Sequence, residues 1–383
     1  MKICLITRNI NSDYKGSFEF DQARALKQSG NEIYVISLDF RSLRRKRKIG
    51  LFWDVHEGIN VLRCSYPLGR INSKVFYAAG KRLFERAYNA MIQKAGAVDI
   101  IHAHFLETAY VAALVLKEKL ADDTPFIVTE HSSLVNDDIE NLSADIVSKA
   151  RYVYPKADRV IAVSDALAEK IKANFNIDCD VVYNVMDTDI FRLTEKREDS
   201  DKNGFVFVSA GNLLPNKRMD LMIDCFDRAF KNDGNVSLYV FGDGPERQRL
   251  DNIIYKNDMN DRVFLMGRKS RQEIADFYKN ADAFVLLSKR ETFGVAYVEA
   301  MAAGLPVIAC RSGGPEGFIT HQTGVLTEDG ENDIINSLRH IRHDIWKYNS
   351  EEIADYAKKI CSPEVIAGEL NDIYEDQLRH KKG

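Results

Sequence analysis

The segment spanning residues 288–307 carries two glutamates, Glu291 and Glu299, with seven residues between them. An apolar run ends near Leu287, a turn containing Gly294 follows, and the pattern predicts a helix from about Gly294 to Ala303. The start of such a helix offers unpaired backbone N–H groups and a positive dipole end, which suit an anion. The carboxylates themselves admit two readings: a ligand site at the mouth of the helix, or one capping and one solvated side chain. A second feature is the run 99–104, where His102 and His104 fall on one side of an extended chain. Metal binding is one reading of that pair, but no carboxylate or cysteine completes a ligand set. The six cysteines show neither a C-x-x-C pair nor metal-ligand spacing, and several sit in apolar runs as small hydrophobes.

These residues need a scaffold, and the pattern supplies one. Short apolar runs at 3–6, 33–37, 61–64, 100–103, 126–129 and 160–163 lack polar alternation, as strands buried on both faces do. A second series follows at 205–210, 238–241, 263–266, 283–287 and 307–309. Helical patterns such as 18–28, 75–93 and 108–119 alternate with them, so parallel sheets covered by helices are expected. Eleven strands in two series predict two doubly wound domains, with the polar segment 188–204 as the linker. Open α/β sheets bind ligands at the carboxyl ends of their strands, and the loops there hold the candidate residues. Past Asp333 two or three helices close the chain, and Pro363 is placed to begin the last at its first turn.

Glu291 is followed by Phe293-Gly294, and Glu299 by Ala300-Met301-Ala302-Ala303-Gly304-Leu305-Pro306-Val307. With Gly211-Asn212-Leu213-Leu214-Pro215-Asn216-Lys217, Gly242-Asp243-Gly244-Pro245, Asn280-Ala281-Asp282-Ala283-Phe284, Ser312-Gly313-Gly314-Pro315-Glu316 and the stretch from Tyr183 to Phe191, this resembles glycosyltransferase family 4. The resemblance covers nearly the whole chain. It implies an α/β fold of GT-B type, two Rossmann-like doubly wound domains facing a central crevice. The domains would be 1–187 plus about 364–383 on the acceptor side, and 188–363 for the nucleotide-sugar.

The resemblance further implies a retaining, metal-independent glycosyltransferase that moves a hexose or N-acetylhexosamine from a nucleotide-diphosphate sugar, UDP by family frequency, with no tightly bound cofactor. Glu291 would lie near the donor sugar and Glu299 would hold the ribose hydroxyls, since a carboxylate accepts two hydroxyl hydrogen bonds. Lys217 would stabilise the charge on the departing diphosphate. Backbone around Phe293, Gly294 and Val295 would face the diphosphate or sugar, Gly16 would let backbone approach the donor phosphate, and His104 would touch the donor sugar, with His102 structural. Family members pair the lysine with an arginine five residues earlier, where this chain has Asn212. Arg218, Arg290 and Arg311 are candidates to compensate, and Arg268 is a further candidate on the donor side. Glu130 and His131 end a strand and are candidates for the acceptor side, with a capping or loop-ordering role as the alternative. The form Gly16-x-Phe18 resembles the subgroup of cell-surface polysaccharide enzymes, so a saccharide or polyprenyl-linked acceptor is expected.

The net charge of −4, from 53 basic and 57 acidic residues, excludes a whole-chain nucleic-acid footprint. It hides a basic region, however: residues 41–90 hold twelve Lys and Arg against three Asp and Glu. An anionic membrane surface at 41–53 and 74–86 is one reading, since basic residues with aromatic neighbours suit the interface; a solvated loop and a half-buried helix is the other. Scattered cysteines predict a reducing, cytoplasmic setting, and no apolar stretch is long enough to span a bilayer. Two other classes remain as alternatives: a noncatalytic nucleotide-sugar-binding scaffold, or a GT-B epimerase or phosphorylase.

Overall fold

In the computed structural model, which describes residues 1–10, 17–40, 48–69, 73–119, 124–194 and 204–382, the chain divides into two units. The first comprises Met1–Val185 with Pro363–Gly383, the second Met186–Ser362.

The first unit is built on eight strands: β1 (Lys2–Arg8), β2 (Glu32–Asp39), β3 (Gly50–His56), β4 (Ile59–Ser65), β5 (Ile100–His104), β6 (Phe126–Glu130), β7 (Arg159–Ala162) and β8 (Asp180–Val181). They form one sheet in the order β3-β4-β2-β1-β5-β6-β7-β8, parallel throughout except for the antiparallel β3–β4 pair. Its helices are α1 (Phe18–Gln28), α2 (Ser73–Ala95), α3 (Leu106–Lys119), α4 (Ala144–Val153) and α5 (Asp165–Phe175). Serines begin three of them: Ser17, Ser143 and Ser164 accept from backbone N–H groups of the first turns of α1, α4 and α5.

The second unit holds a six-stranded parallel sheet: β9 (Phe205–Ala210), β10 (Val236–Phe241), β11 (Val263–Gly267), β12 (Ala283–Leu286), β13 (Val307–Cys310) and β14 (Gly324–Thr327), in the order β11-β10-β9-β12-β13-β14. Its helices are α6 (Met219–Phe230), α7 (Arg247–Lys256), α8 (Arg271–Tyr278), α9 (Val295–Ala302), α10 (Glu331–Asp344) and α11 (Ser350–Cys361). The last helix, α12 (Pro363–Lys382), belongs to the first unit, where Ile366, Leu370 and Tyr374 are buried in the same core as Ile3, Leu5 and Phe20. Each such side chain contributes about 1.5–3 kcal/mol by leaving water.

Fourteen strands among the described residues replace the eleven expected. The additions are β3, β8 and β14. β3 falls where the sequence reads as the end of a basic stretch. It turns back onto β4 through Glu57 and Gly58, both at positive φ (49° and 69°), the backbone of a two-residue hairpin turn. Arg24 braces that turn with two hydrogen bonds to the Glu57 carboxylate, at 2.7 and 3.2 Å.

Candidate active site

Each sheet has a point at which the strand order reverses direction, and loops leaving the carboxyl ends of the two strands there part to leave room for a ligand. In the second unit those strands are β9 and β12. The loop after β9 ends in a short turn, Pro215–Lys217, and the loop after β12 carries Glu291. Lys217 Nζ meets Glu291 Oε2 at 2.5 Å, with the two side chains 20% and 15% exposed. Asn216 clips the loops together. Its Nδ2 donates to the Arg290 carbonyl at 2.9 Å, its Oδ1 accepts the Arg290 N–H at 3.2 Å, and its own carbonyl accepts the Lys289 N–H at 2.8 Å. Lys217 and Glu291 are thus held at the reversal by backbone contacts across 74 residues of sequence.

Behind Glu291 a third loop closes the support. The Glu291 N–H donates to the Ser312 carbonyl at 2.9 Å, and the Glu316 carboxylate accepts the Gly313 N–H. Gly314 has no room for a side chain: a Cβ there would stand 2.6 Å from the backbone N, Cα and O of Phe293. Gly294, at φ 96°, caps α9 in a conformation other residues avoid, with the Tyr297 ring where its Cβ would be. Tyr297 is fully buried and donates its hydroxyl to the Leu286 carbonyl at 2.7 Å, which ties α9 to the end of β12. Phe293 is a core residue packed on Phe318 at 5.1 Å, so only its backbone faces the start of α9. Val295 is the first residue of that helix.

Glu299 lies on α9, 15% exposed, and accepts from Arg271 at 3.0 Å; the same guanidinium stands 3.8 Å from Asp187 and over the Phe191 ring. Sequence reasoning missed Arg271, which opens α8 and reaches Glu299 across 28 residues. Asn212 is exposed just after β9. Arg218 donates from Nε to the Leu287 carbonyl at 2.7 Å and pairs with Asp329, so it braces the β12 loop. Arg311 pairs with Glu328 at 2.8 Å, and Arg290 directly precedes Glu291. Arg268 is exposed after β11, two strands from β9.

In the first unit the order reverses between β1 and β5. Arg8 ends β1 and His104 ends β5. His104 is fully buried; its Nδ1 lies 2.9 Å from His131 Nε2, and its Nε2 meets no hydrogen-bond partner among the described residues. Burial first, then the Arg8 charge, pushes His104 down to about 3, so it is a neutral imidazole at ordinary pH. His131 is lowered by burial and by its cationic and imidazole neighbours, and it packs against Phe18 and Phe105 with ring centroids 4.8 Å away in each case. His102 is held at both nitrogens, by the Tyr374 hydroxyl and Thr129 Oγ1, each at 2.7 Å. Glu130 is fully buried and accepts four hydrogen bonds: from Leu106 N–H (3.1 Å), Tyr154 hydroxyl (3.0 Å), His131 N–H (2.9 Å) and Ser132 N–H (2.7 Å). Burial pushes its carboxyl up to about 7 against those bonds. Its contacts order the β6 loop and the start of α3. Gly16 lies outside the described residues. Among the described residues no group of three or more His, Cys, Asp or Glu is placed to hold a metal ion.

Two family models match adjoining parts of the chain: Glycosyltransferase Family 4 over residues 20–190 and Glycosyl transferases group 1 over residues 191–360. The chain belongs to glycosyltransferase family 4. An uncharacterised glycosyltransferase of Methanocaldococcus jannaschii is 29% identical over 287 residues, 73% of this chain and 76% of its own. The N-acetyl-alpha-D-glucosaminyl L-malate synthase of Bacillus anthracis is 26% identical over 302 residues, 74% of this chain and 76% of its own. Among solved structures, sucrose-phosphate synthase from Thermosynechococcus elongatus superposes with a TM-score of 0.81 at 18% identity, covering 99% of both chains. The Anabaena protein HepE in complex with UDP and glucose gives 0.73 at 19%, covering 98% of this chain and 100% of its own. At such identities the likeness is one of fold, and that fold is GT-B, with two Rossmann-like units. This family 4 chain is accordingly a glycosyltransferase of GT-B type.

Proposed function

We propose that the chain is a retaining, metal-independent hexosyl- or N-acetylhexosaminyltransferase that uses a nucleotide-diphosphate sugar, with UDP as the favoured carrier. The observation that carries the reading is the Lys217–Glu291 pair at the β9/β12 reversal, beside the start of α9. A diphosphate arriving there meets an ammonium and a row of helix-start N–H groups, and negative charge grows on it only as the glycosidic bond breaks. Lys217 then exchanges its carboxylate partner for the diphosphate, which leaves Glu291 to accept from sugar hydroxyls. Glu299, oriented by Arg271, accepts from the ribose hydroxyls. His104, neutral and with Nε2 unengaged, is suited to a sugar hydroxyl. UDP is favoured because HepE is described in complex with UDP and with UDP-glucose.

Calorimetric titration with UDP-, GDP- and ADP-sugars tests the reading. Lys217→Ala and Glu299→Ala are each expected to weaken nucleotide binding about 10- to 100-fold, the size of a lost charge-assisted hydrogen bond. Unchanged affinity in both variants overturns the assignment, and binding without turnover turns it into a scaffold's.

The proposal extends to a saccharide or polyprenyl-linked acceptor in cell-surface polysaccharide synthesis, met at the cytoplasmic face of a membrane. Residues 41–47 lie outside the described residues. Beside them Ile49, and Val55 on the sheet-edge strand β3, are 56% and 59% exposed; Val75 on α2 is 57% exposed. Lys48 lies over the Phe52 ring and Lys94 over Trp53, which keeps cations beside aromatic surface. No helix among the described residues is long and apolar enough to cross a membrane. Neutralising Arg44, Arg45, Lys46, Arg47 and Lys48 together is expected to abolish cosedimentation with anionic vesicles; undiminished pelleting removes the membrane from the proposal.

A further inference from the structure

The stretch from Tyr183 to Phe191 leads the chain into the second unit, which begins at Met186. Its first residues there are held firmly. The Met186 N–H donates to the Cys361 carbonyl at 2.8 Å, so the start and the end of the unit lie side by side. Asp187 is buried and closes a turn on itself. Its Oδ1 accepts the N–H groups of Asp189 and Ile190 at 3.1 and 3.3 Å, and its carbonyl accepts the Phe191 N–H at 2.9 Å. An aspartate that bonds the backbone two and three residues on fixes its own carboxylate as it fixes the turn. Phe191 is fully buried, with its ring centroid 6.0 Å from that of Tyr278, which in turn lies 6.1 Å from Phe284 on β12.

This turn is a seat for one guanidinium. Arg271 opens α8 directly after Ser270, and the Ser270–Glu273 capping box fixes where its side chain departs. The guanidinium lies over the Phe191 ring, 5.4 Å from its centroid, with Nη1 3.8 Å from Asp187 Oδ2 and Nη2 donating to Glu299 Oε1 at 3.0 Å. Two carboxylates thus share one cation, and all three side chains are largely buried, where charges act on one another more strongly than in water. The sharing bears on what Glu299 can do. A guanidinium divided between two carboxylates draws less on each, so Glu299 keeps acceptor strength for hydroxyl groups. With Asp187 neutral the whole cation falls to Glu299, and a carboxylate in a closed ion pair is the poorer acceptor.

We propose that Asp187 and Arg271 are positioning residues for ribose recognition: Asp187 takes part of the Arg271 charge, and Arg271 aims Glu299 at the ribose hydroxyls of the nucleotide. The turn through which the chain enters the second unit thereby sets the preference for a ribonucleotide over its deoxy counterpart. The inference rests on the reading of Glu299 as the ribose ligand and adds the residues that govern its selectivity. Phe191 supplies the face on which the guanidinium rests, which gives the stretch at 183–191 a part in donor binding.

The test titrates the full chain with UDP, 2′-deoxy-UDP and 3′-deoxy-UDP by calorimetry. The wild type is expected to bind UDP about tenfold or more tightly than at least one of the deoxy analogues, the loss of one hydrogen bond to a charged group. Asp187→Asn keeps the acceptor oxygen that the turn needs and removes the charge, whereas Arg271→Lys keeps the charge and removes the fork. Each is expected to weaken UDP about fivefold or more and that analogue less than about twofold, so the preference shrinks to about fourfold or less. A purely structural role weakens all three ligands alike and leaves the preference where it was. A preference undiminished in one variant removes that residue from the assignment; undiminished in both, it overturns the inference and leaves Glu299 on the ribose. A wild type that binds UDP and both analogues equally overturns the ribose reading of Glu299 itself, and the inference with it.

Discussion

At the scale of single residues, the loops around Glu291 depend on two glycines, Gly294 and Gly314, where no side chain fits. Gly314 presses on the backbone of Phe293, and through it on the turn that presents Glu291 two residues earlier. A methyl group at 314 has only backbone to displace, and backbone cannot rotate away as a side-chain end can. Gly314→Ala is therefore expected to destabilise the second unit by about 1–3 kcal/mol, the usual cost of overpacking, and to lower kcat/KM by at least about tenfold through displacement of Glu291. Denaturant unfolding together with steady-state kinetics checks both numbers; an alanine variant with unaltered kinetics removes the 312–316 loop from the positioning of Glu291. Lys217 and Glu291 were legible in the sequence as candidates because each lies in a loop after a strand and within a motif that resembles the family's, and so was His104, in the other unit, because it ends a strand. Their supports were not. Asn216 bonds across 74 residues and Arg271 across 28, and neither residue type nor local spacing marks a partner so far away. Glu130 shows the converse. A carboxylate at a strand end reads as a candidate ligand, yet here four protein donors occupy it, which only coordinates reveal.

At the scale of elements, the parallel strands were legible because burial on both faces leaves runs of β-branched and aromatic residues without polar alternation. β3 obeys a different rule. It pairs antiparallel at the sheet edge, and its residues are half-buried or exposed, so its sequence mixes Trp53 with Asp54 and His56. Its turn, Glu57-Gly58, lacks the Asn or Asp that usually marks a two-residue hairpin. β8, two residues long, is below the length at which periodicity carries information, and β14 lies at the sheet edge with its two middle residues only half-buried, so Gly324–Thr327 does not read as a run buried on both faces. The helices after β9 and β12 do more than cover the sheet. α6 begins at Met219, two residues after Lys217, and α9 at Val295, directly after Gly294, so both helix N-termini follow the loops that leave β9 and β12, where the strand order reverses. Helix α12 plays a structural part of comparable weight in the other unit: its Tyr374 hydroxyl fixes one nitrogen of His102, while Thr129 fixes the other. Tyr374, 272 residues distant from His102 in sequence, thereby braces the strand that presents His104.

At the scale of the whole molecule, the buried histidines and the two carboxyls most raised by burial all lie in the first unit. In the first unit His102, His104 and His131 are buried and lowered by that burial, whereas Glu19 and Glu130 are raised by it to about 7. The histidines at 321, 340 and 343 in the second unit are all exposed. A histidine lowered on folding takes up its proton only on unfolding below about pH 6.5, so its contribution to stability is lost as pH falls through that value. A carboxyl raised on folding acts oppositely, because the native state holds a proton that the unfolded chain releases above about pH 4.5. Between about pH 5 and 6.5 three histidines oppose two carboxyls, and the unfolded first unit binds about one proton more than the native one. Its stability should therefore fall on acidification by about 1.4 kcal/mol per pH unit, and more steeply below about pH 4.5, where both forms of the carboxyls are protonated. The sequence has two tryptophans, Trp53 in the first unit and Trp346 in the second. Urea unfolding read from Trp53 in a Trp346→Phe background measures this slope directly. His104→Gln removes one of the three histidines, so the slope between pH 5 and 6.5 should flatten almost to zero while the steeper fall below pH 4.5 persists. A slope that is unchanged in the variant places the proton uptake elsewhere and withdraws the neutral imidazole from the sugar contact proposed for it.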